Sequence, residues 1–166
     1  MKNIILSLLL TISYGIAIKA QDLTSKIDSL TTELNQLKHE HYYLSSIYQL
    51  NKMSLELSVL DNNLKTAVNT ILIYGDENQC DIELYSVFEN NYECSVELLN
   101  SQSYFFSTLK RTVTLNNLQY NFNELEIKEI EDLCSYIDMR FNQVNNSLEL
   151  YKKVLTEYKK LPSRIR

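Results

Sequence analysis

The near-absence of chain breakers constrains this sequence more than any other feature. Its 166 residues hold two glycines, Gly15 and Gly75, and one proline, Pro162. Sheets and irregular folds turn often, and each turn draws on glycine, proline, asparagine or aspartate in special conformations. A chain with so few breakers reads as long helices joined by few turns.

Apolar spacing agrees. From the start of the polar region the apolar residues step by four and three: Leu23, Ile27, Leu30, Leu34, Leu37, then His41 and Leu44. A second register runs Leu50, Met53, Leu57, Leu60, Leu64, Ala67, Ile71. Both are heptad seams, and the closer spacing Leu44, Ile47, Leu50, Met53 between them reads as a stammer, which overwinds a coiled coil locally. No Gly or Pro lies between Asp22 and Tyr74. One helix over about 22–74 is expected, roughly 75–80 Å long at the helical rise. A break near residues 45–52 is the alternative.

Gly75 suits the left-handed position after a helix, and Asp76 can cap the next one with Gln79 three residues on. The second helix is expected over about 77–112, with a seam of Tyr85, Phe88, Tyr92, Leu99, Phe106 and Leu109. It should fade where Thr112, Val113 and Thr114 lower helix propensity. "LNNLQYNFN" (Leu115 to Asn123) is the second connection. Asn123 is a good N-cap with Glu126 at N3, and Phe122 can staple onto Ile127. The third helix, about 123–161, has the cleanest heptad: Ile130, Cys134, Ile137, Phe141, Val144, Leu148, Tyr151, Leu155, Tyr158. It starts acidic and ends basic, complementing the helix dipole, and Pro162 stops it.

Three helices joined by short turns pack antiparallel in sequence order. The expected fold is all-α: an antiparallel three-helix bundle or coiled coil with one very long N-terminal helix. With turns near residues 76 and 117, the second helix spans only the later part of the first. Asp22 to about His39 then overhangs by roughly 25 Å. Its stripe of Leu23, Ile27, Leu30, Leu34 and Leu37 needs a cover. Either the Leu115–Phe122 connection or a returning segment covers it, or another subunit or a partner protein does. These five residues are the candidate partner-binding positions.

The first residues indicate where the protein works. "MKNIILSLLLTISYGIAIKAQD" has an early cation, an apolar run from Ile4 to Ile18 and small residues before a cut after Ala20. That is the layout of a cleavable secretory signal over 1–20. The run is short for a spanning helix, so no stable membrane anchor is expected after cleavage. A single helical domain over 21–166 remains, placed in the periplasm or outside the cell. Of the 16 basic residues Lys2 and Lys19 leave with the signal, so 14 face 21 acidic ones and the formal charge moves from −5 to −7. An acidic surface lacks the basic stripe that nucleic acid requires.

Catalytic patterns are missing. No Gly-rich phosphate loop, G-x-S-x-G, C-x-x-C or H-E-x-x-H occurs. Both histidines sit in "KHEHYY", but positions two apart point to opposite sides of a helix, so His39 and His41 cannot share a metal. His41 falls on the seam, half-buried, and His39 points to solvent. No cofactor or metal is expected, and the chain reads as a non-enzyme. Cys80, Cys94 and Cys134 are an odd count for an oxidising compartment. A Cys94–Cys134 bridge across neighbouring helices is feasible if the Cα atoms come within about 7 Å. Unpaired thiols, or an inter-chain bridge from Cys80, are the alternatives. Seven carboxylates between Asp76 and Glu97 are expected to lie beside the basic end of the third helix. The tyrosines are expected at the core edge.

The composite expectation is an exported helical scaffold that binds a partner or self-associates through coiled-coil surfaces. Signal peptide, long helix, shorter helix, connecting loop and long helix form a layout similar to the minor pilus components of type IV secretion systems. That resemblance implies a role in an envelope-spanning conjugation apparatus. The chain also resembles, more distantly, periplasmic holdase chaperones with coiled-coil arms, which are basic and open with a strand.

Overall fold

A computed structural model describes the backbone of residues 2–75 and 79–163, and side chains from Lys19 onward. The side chains of residues 1–18 in the expected leader, Asp76 as a cap, and Arg164 and Arg166 lie outside the described residues. The protein is all-α, with α1 (Lys2–Gly75), α2 (Ile82–Tyr120) and α3 (Glu124–Lys159). It divides into two compact units, Met1–Tyr42 and Tyr43–Arg166.

The first unit is a stretch of α1 alone. The second is a three-helix bundle in which the later part of α1 packs with α2 and α3. Tyr43 donates its hydroxyl to Glu129, and Ser147 donates to Asp61 at 2.6 Å. Both pairs are 86 positions apart, so α1 and α3 run parallel with no slip between the two levels. Meanwhile α2 runs against α3: the rings of Phe88 and Tyr158, Tyr92 and Tyr151, and Phe106 and Phe141 meet in reverse order. The bundle is therefore up-down-up.

Its core follows the expected heptads. Leu50, Met53, Leu57, Leu64 and Ile71 of α1 are almost completely buried, as are Ile137, Val144 and Tyr151 of α3. A helix of this length gains little from propensity alone, and burial of one apolar face is what holds it. That explains why α1 shows no break across residues 45–52.

Both connections differ from expectation. Gly75 is the last residue of α1, and no described glycine has a positive φ. A Cβ on Gly75 would meet only ordinary contacts with Tyr158 and Leu161, at 3.8 and 4.0 Å. The second helix begins at Ile82, not 77, because Asp81 is the cap, accepting from the N–H groups of Glu83 and Leu84. The chain before it is tied to the far end of α3, where Cys80 N–H donates to Pro162 O at 2.8 Å.

At its other end α2 does not fade at Thr112 but runs to Tyr120. Val113 is buried, and tertiary burial overrides the weak propensity of the Thr-Val-Thr run. The left-handed residue is Asn121, with φ 52°, one of the few side chains that tolerates this conformation. Its N–H bonds Asn117 O, and the Asn117 side chain accepts from Phe122 N–H.

The start of α3 matches the reading of the sequence. The Asn123 side chain accepts from the Leu125 and Glu126 N–H groups, and Glu126 returns a bond to Asn123 N–H at 2.8 Å. Phe122 is buried, with its ring edge-on to Tyr43 at 5.9 Å. Asn123→Ala should cost about 1 kcal/mol, read as a lower urea midpoint with an unchanged helical spectrum. An unchanged midpoint would show that the cap is not holding this turn.

Candidate interaction surface

In the first unit every residue from Lys19 to Lys38 is exposed. The five candidate residues Leu23, Ile27, Leu30, Leu34 and Leu37 are 51–64 % exposed, on one heptad stripe. Polar side chains around them find partners on their own helix. Lys26 pairs with Asp22 at 2.9 Å, Gln36 donates to Glu40, and the Thr31 hydroxyl bonds Ile27 O. Local pairs of this kind keep the polar faces soluble and leave the apolar stripe as the distinctive surface.

The bundle unit shows what the spacing change near residue 44 means. Leu44 and Tyr48 continue the upstream period and are exposed at 61 % and 68 %, whereas Ser46, Leu50, Met53 and Leu57 are buried. With Leu23 as heptad position d, Leu44 is also d and Tyr48 is a. Ser46, Leu50, Met53 and Leu57 are then f, c, f and c. The spacing expected as a stammer is instead a change of heptad position: within the bundle unit it is c and f that face the core from Ser46 on.

This shift also reverses the histidines. His39 lies at f and is half-buried, while His41 lies at a and is exposed, its ring edge-on to Tyr42 at 5.3 Å. Among the described residues no group of three His, Cys, Asp or Glu side chains is placed to hold a metal ion.

No family model, curated protein or solved structure matches this chain. Among the described residues no helix is long and apolar enough to cross a membrane.

All three cysteines are free: Cys80 buried, Cys94 exposed and Cys134 half-buried. Cys94 and Tyr151 line one groove, whereas Cys134 sits within the field of Lys110. The 16 positions from Cys94 to Lys110 along α2 correspond to roughly 24 Å, so the fold does not bring Cys94 and Cys134 together. Burial pushes the Cys80 and Cys134 thiols up, opposite to what a nucleophilic cysteine requires.

Beyond the stripe, two features stand out. The acidic start of α2 meets the end of α3: Lys159 lies 4.0 Å from Glu89 and 4.8 Å above the Tyr85 ring, while Tyr85 donates to Glu89 at 2.6 Å. The bond to Glu89 raises the Tyr85 pKa. Of the seven carboxylates expected beside this basic end, Glu89 is the one that Lys159 reaches. A shallow apolar groove of about 460 Å³ also opens between Leu72, Leu150, Val154 and Leu161. Lys153, Glu157 and Tyr158 also line it.

Sequence reading carried the first register as far as Leu44 but not to Tyr48, and it missed the buried Asp61–Ser147 pair. Writing that register forward past Leu44 would have found the former. The latter is polar on an apolar seam and has no periodic signal.

Proposed function

We propose that this chain is an exported, non-enzymatic helical scaffold whose a/d stripe docks another protein chain. The observation that carries this reading is the unbroken run of half-exposed Leu and Ile at heptad spacing from Leu23 to Leu37. Single exposed apolar residues are ordinary, but a contiguous stripe is characteristic of an interaction surface. The signal-like first twenty residues support export, and the upward-shifted thiols of Cys80 and Cys134 support a chain without a nucleophile.

The layout similar to minor pilus components includes a shorter second helix and a connecting loop. Here α2 has 39 residues, α3 has 36, and they are joined by residues 121–123. That layout therefore lends the pilus reading no support, and the acidic composition argues against a holdase.

Changing both Leu30 and Leu34 to lysine should abolish association while leaving the bundle's urea midpoint unchanged. In-cell crosslinking from a photoreactive residue at position 34 should capture a defined protein in the unaltered chain and lose it in the doubly altered one. Association that survives the double change would overturn the reading.

A further inference from the structure

We propose that the stripe's occupant is a second copy of this chain, paired parallel and in register as a two-stranded coiled coil over Leu23–His41. This rests on the reading of the stripe as a docking surface and names its partner. Three observations point the same way.

The first is the seam itself. Its d positions are Leu23, Leu30 and Leu37, and its a positions are Ile27, Leu34 and His41. Leucine at every d, with β-branched Ile27 at the first a, fits two-stranded pairing, and higher orders draw isoleucine into d. No d position here holds isoleucine.

The second is charge at the flanks. The g positions are Lys26 and Glu33, and the e positions five residues on are Thr31 and Lys38. In a parallel pair each g residue faces the partner's e residue five positions on. Lys26 then meets the partner's Thr31, and Glu33 the partner's Lys38. Symmetry makes the Glu33–Lys38 attraction twice, with no like charges opposed. In the antiparallel arrangement that sets His41 against the partner's Leu23, g faces g: Lys26 meets the partner's Glu40, also at g, twice, but Glu33 opposes the partner's Glu33, a repulsion that the parallel pair avoids.

The third is His41. Parallel, in-register pairing sets its imidazole against the partner's imidazole at one a layer, where each offers the other a polar neighbour. Antiparallel pairing opposes it to the partner's Leu23, and a slip of one heptad opposes it to the partner's Leu34. A single polar a residue fixes orientation and register in this way. His41 is exposed in the single chain, so nothing within the described residues takes that role.

Sedimentation equilibrium on the chain from Gln21 to Arg166, with its charge variants, tests the proposal. The unaltered chain should follow a monomer–dimer equilibrium. Glu33→Lys sets two lysines against each other at both flanks and should weaken the dimer about tenfold. Lys38→Glu should do the same, and the two single variants mixed should prefer each other over themselves. The double variant E33K/K38E should recover the dimer. Both side chains are exposed in the single chain, so the urea midpoint of the bundle should stay constant.

A monomer at every concentration, a trimer or larger assembly, or charge changes that fail to rescue one another would overturn it. If the chain is monomeric while position 34 crosslinks to a different protein, self-pairing fails and the docking reading survives. If neither association nor crosslinks respond to L30K/L34K, both fail.

Discussion

Tyr151→Ala should destabilise the bundle by about 3–5 kcal/mol, the range for removing a large buried aromatic. Tyr151 is fully buried and is the largest such side chain in the core. Its ring meets the edge of Tyr92 at 5.7 Å, and its hydroxyl donates to Phe88 O at 2.9 Å. Tyr151→Phe keeps the packing and removes only the hydrogen bond, so it should cost about 1 kcal/mol. Burial also pushes the Tyr151 pKa from 10.0 to about 12. A raised folded-state value means that this contribution is complete below pH 10 and lost as pH rises towards 12. Each unit in that window removes about 1.4 kcal/mol. Urea titrations at neutral pH should therefore separate the two variants by several kcal/mol. Above pH 10 the Phe variant should lose less stability than the unaltered chain. If alanine costs no more than phenylalanine, the ring is not packing as described.

How much of this fold is legible beforehand depends on the type of signal each residue carries. Heptads are long and redundant, so Leu50 to Ile71 and Ile130 to Tyr158 fixed the number of helices and their inward faces. The Asn123 cap was legible because its partner Glu126 lies three residues away. The first connection was not. Gly75 and Asp76 have the right chemistry for a turn, but Asp81 also does, and the chain end at Pro162 that holds Cys80 is remote in sequence. Thr112 to Thr114 misled for a related reason: propensity is local, whereas the burial of Val113 is tertiary. The interaction stripe was visible as a pattern. The change of face after Leu44 was not, because Leu44, Ile47 and Leu50 differ in burial while lying close in sequence. A one-dimensional spacing cannot tell a stammer from a change of face.

Ser147→Ala should cost about 1–3 kcal/mol at neutral pH, and its pH dependence should show why. Asp61 is 4 % exposed on the core face of α1. Burial alone would raise its pKa, but hydrogen bonds from Lys65 and Ser147, both at 2.6 Å, outweigh it and the net shift is downward. A depressed carboxyl contributes stability that is present above its unfolded value near 4 and is lost as pH falls through the lower folded value. Removing the Ser147 hydroxyl leaves one carboxylate oxygen buried without that donor and lets burial push the folded value back up. The deficit against the unaltered chain should therefore be largest near pH 7 and shrink in acid, where Asp61 is protonated in both. Replacing the pair together, as D61L/S147A, should be much closer to neutral, because no buried polar group is left unmatched. What that double change should lose is specificity. Asp61–Ser147, with Tyr43–Glu129, holds α1 and α3 at the offset of 86, and an all-apolar seam tolerates a slip of one heptad. Duplicate amide resonances from α1 and α3 in the double variant, absent from the unaltered chain, are the expected sign. A single set of resonances, or a Ser147→Ala deficit that grows towards acid pH, would show that the pair neither sets the register nor carries the charge.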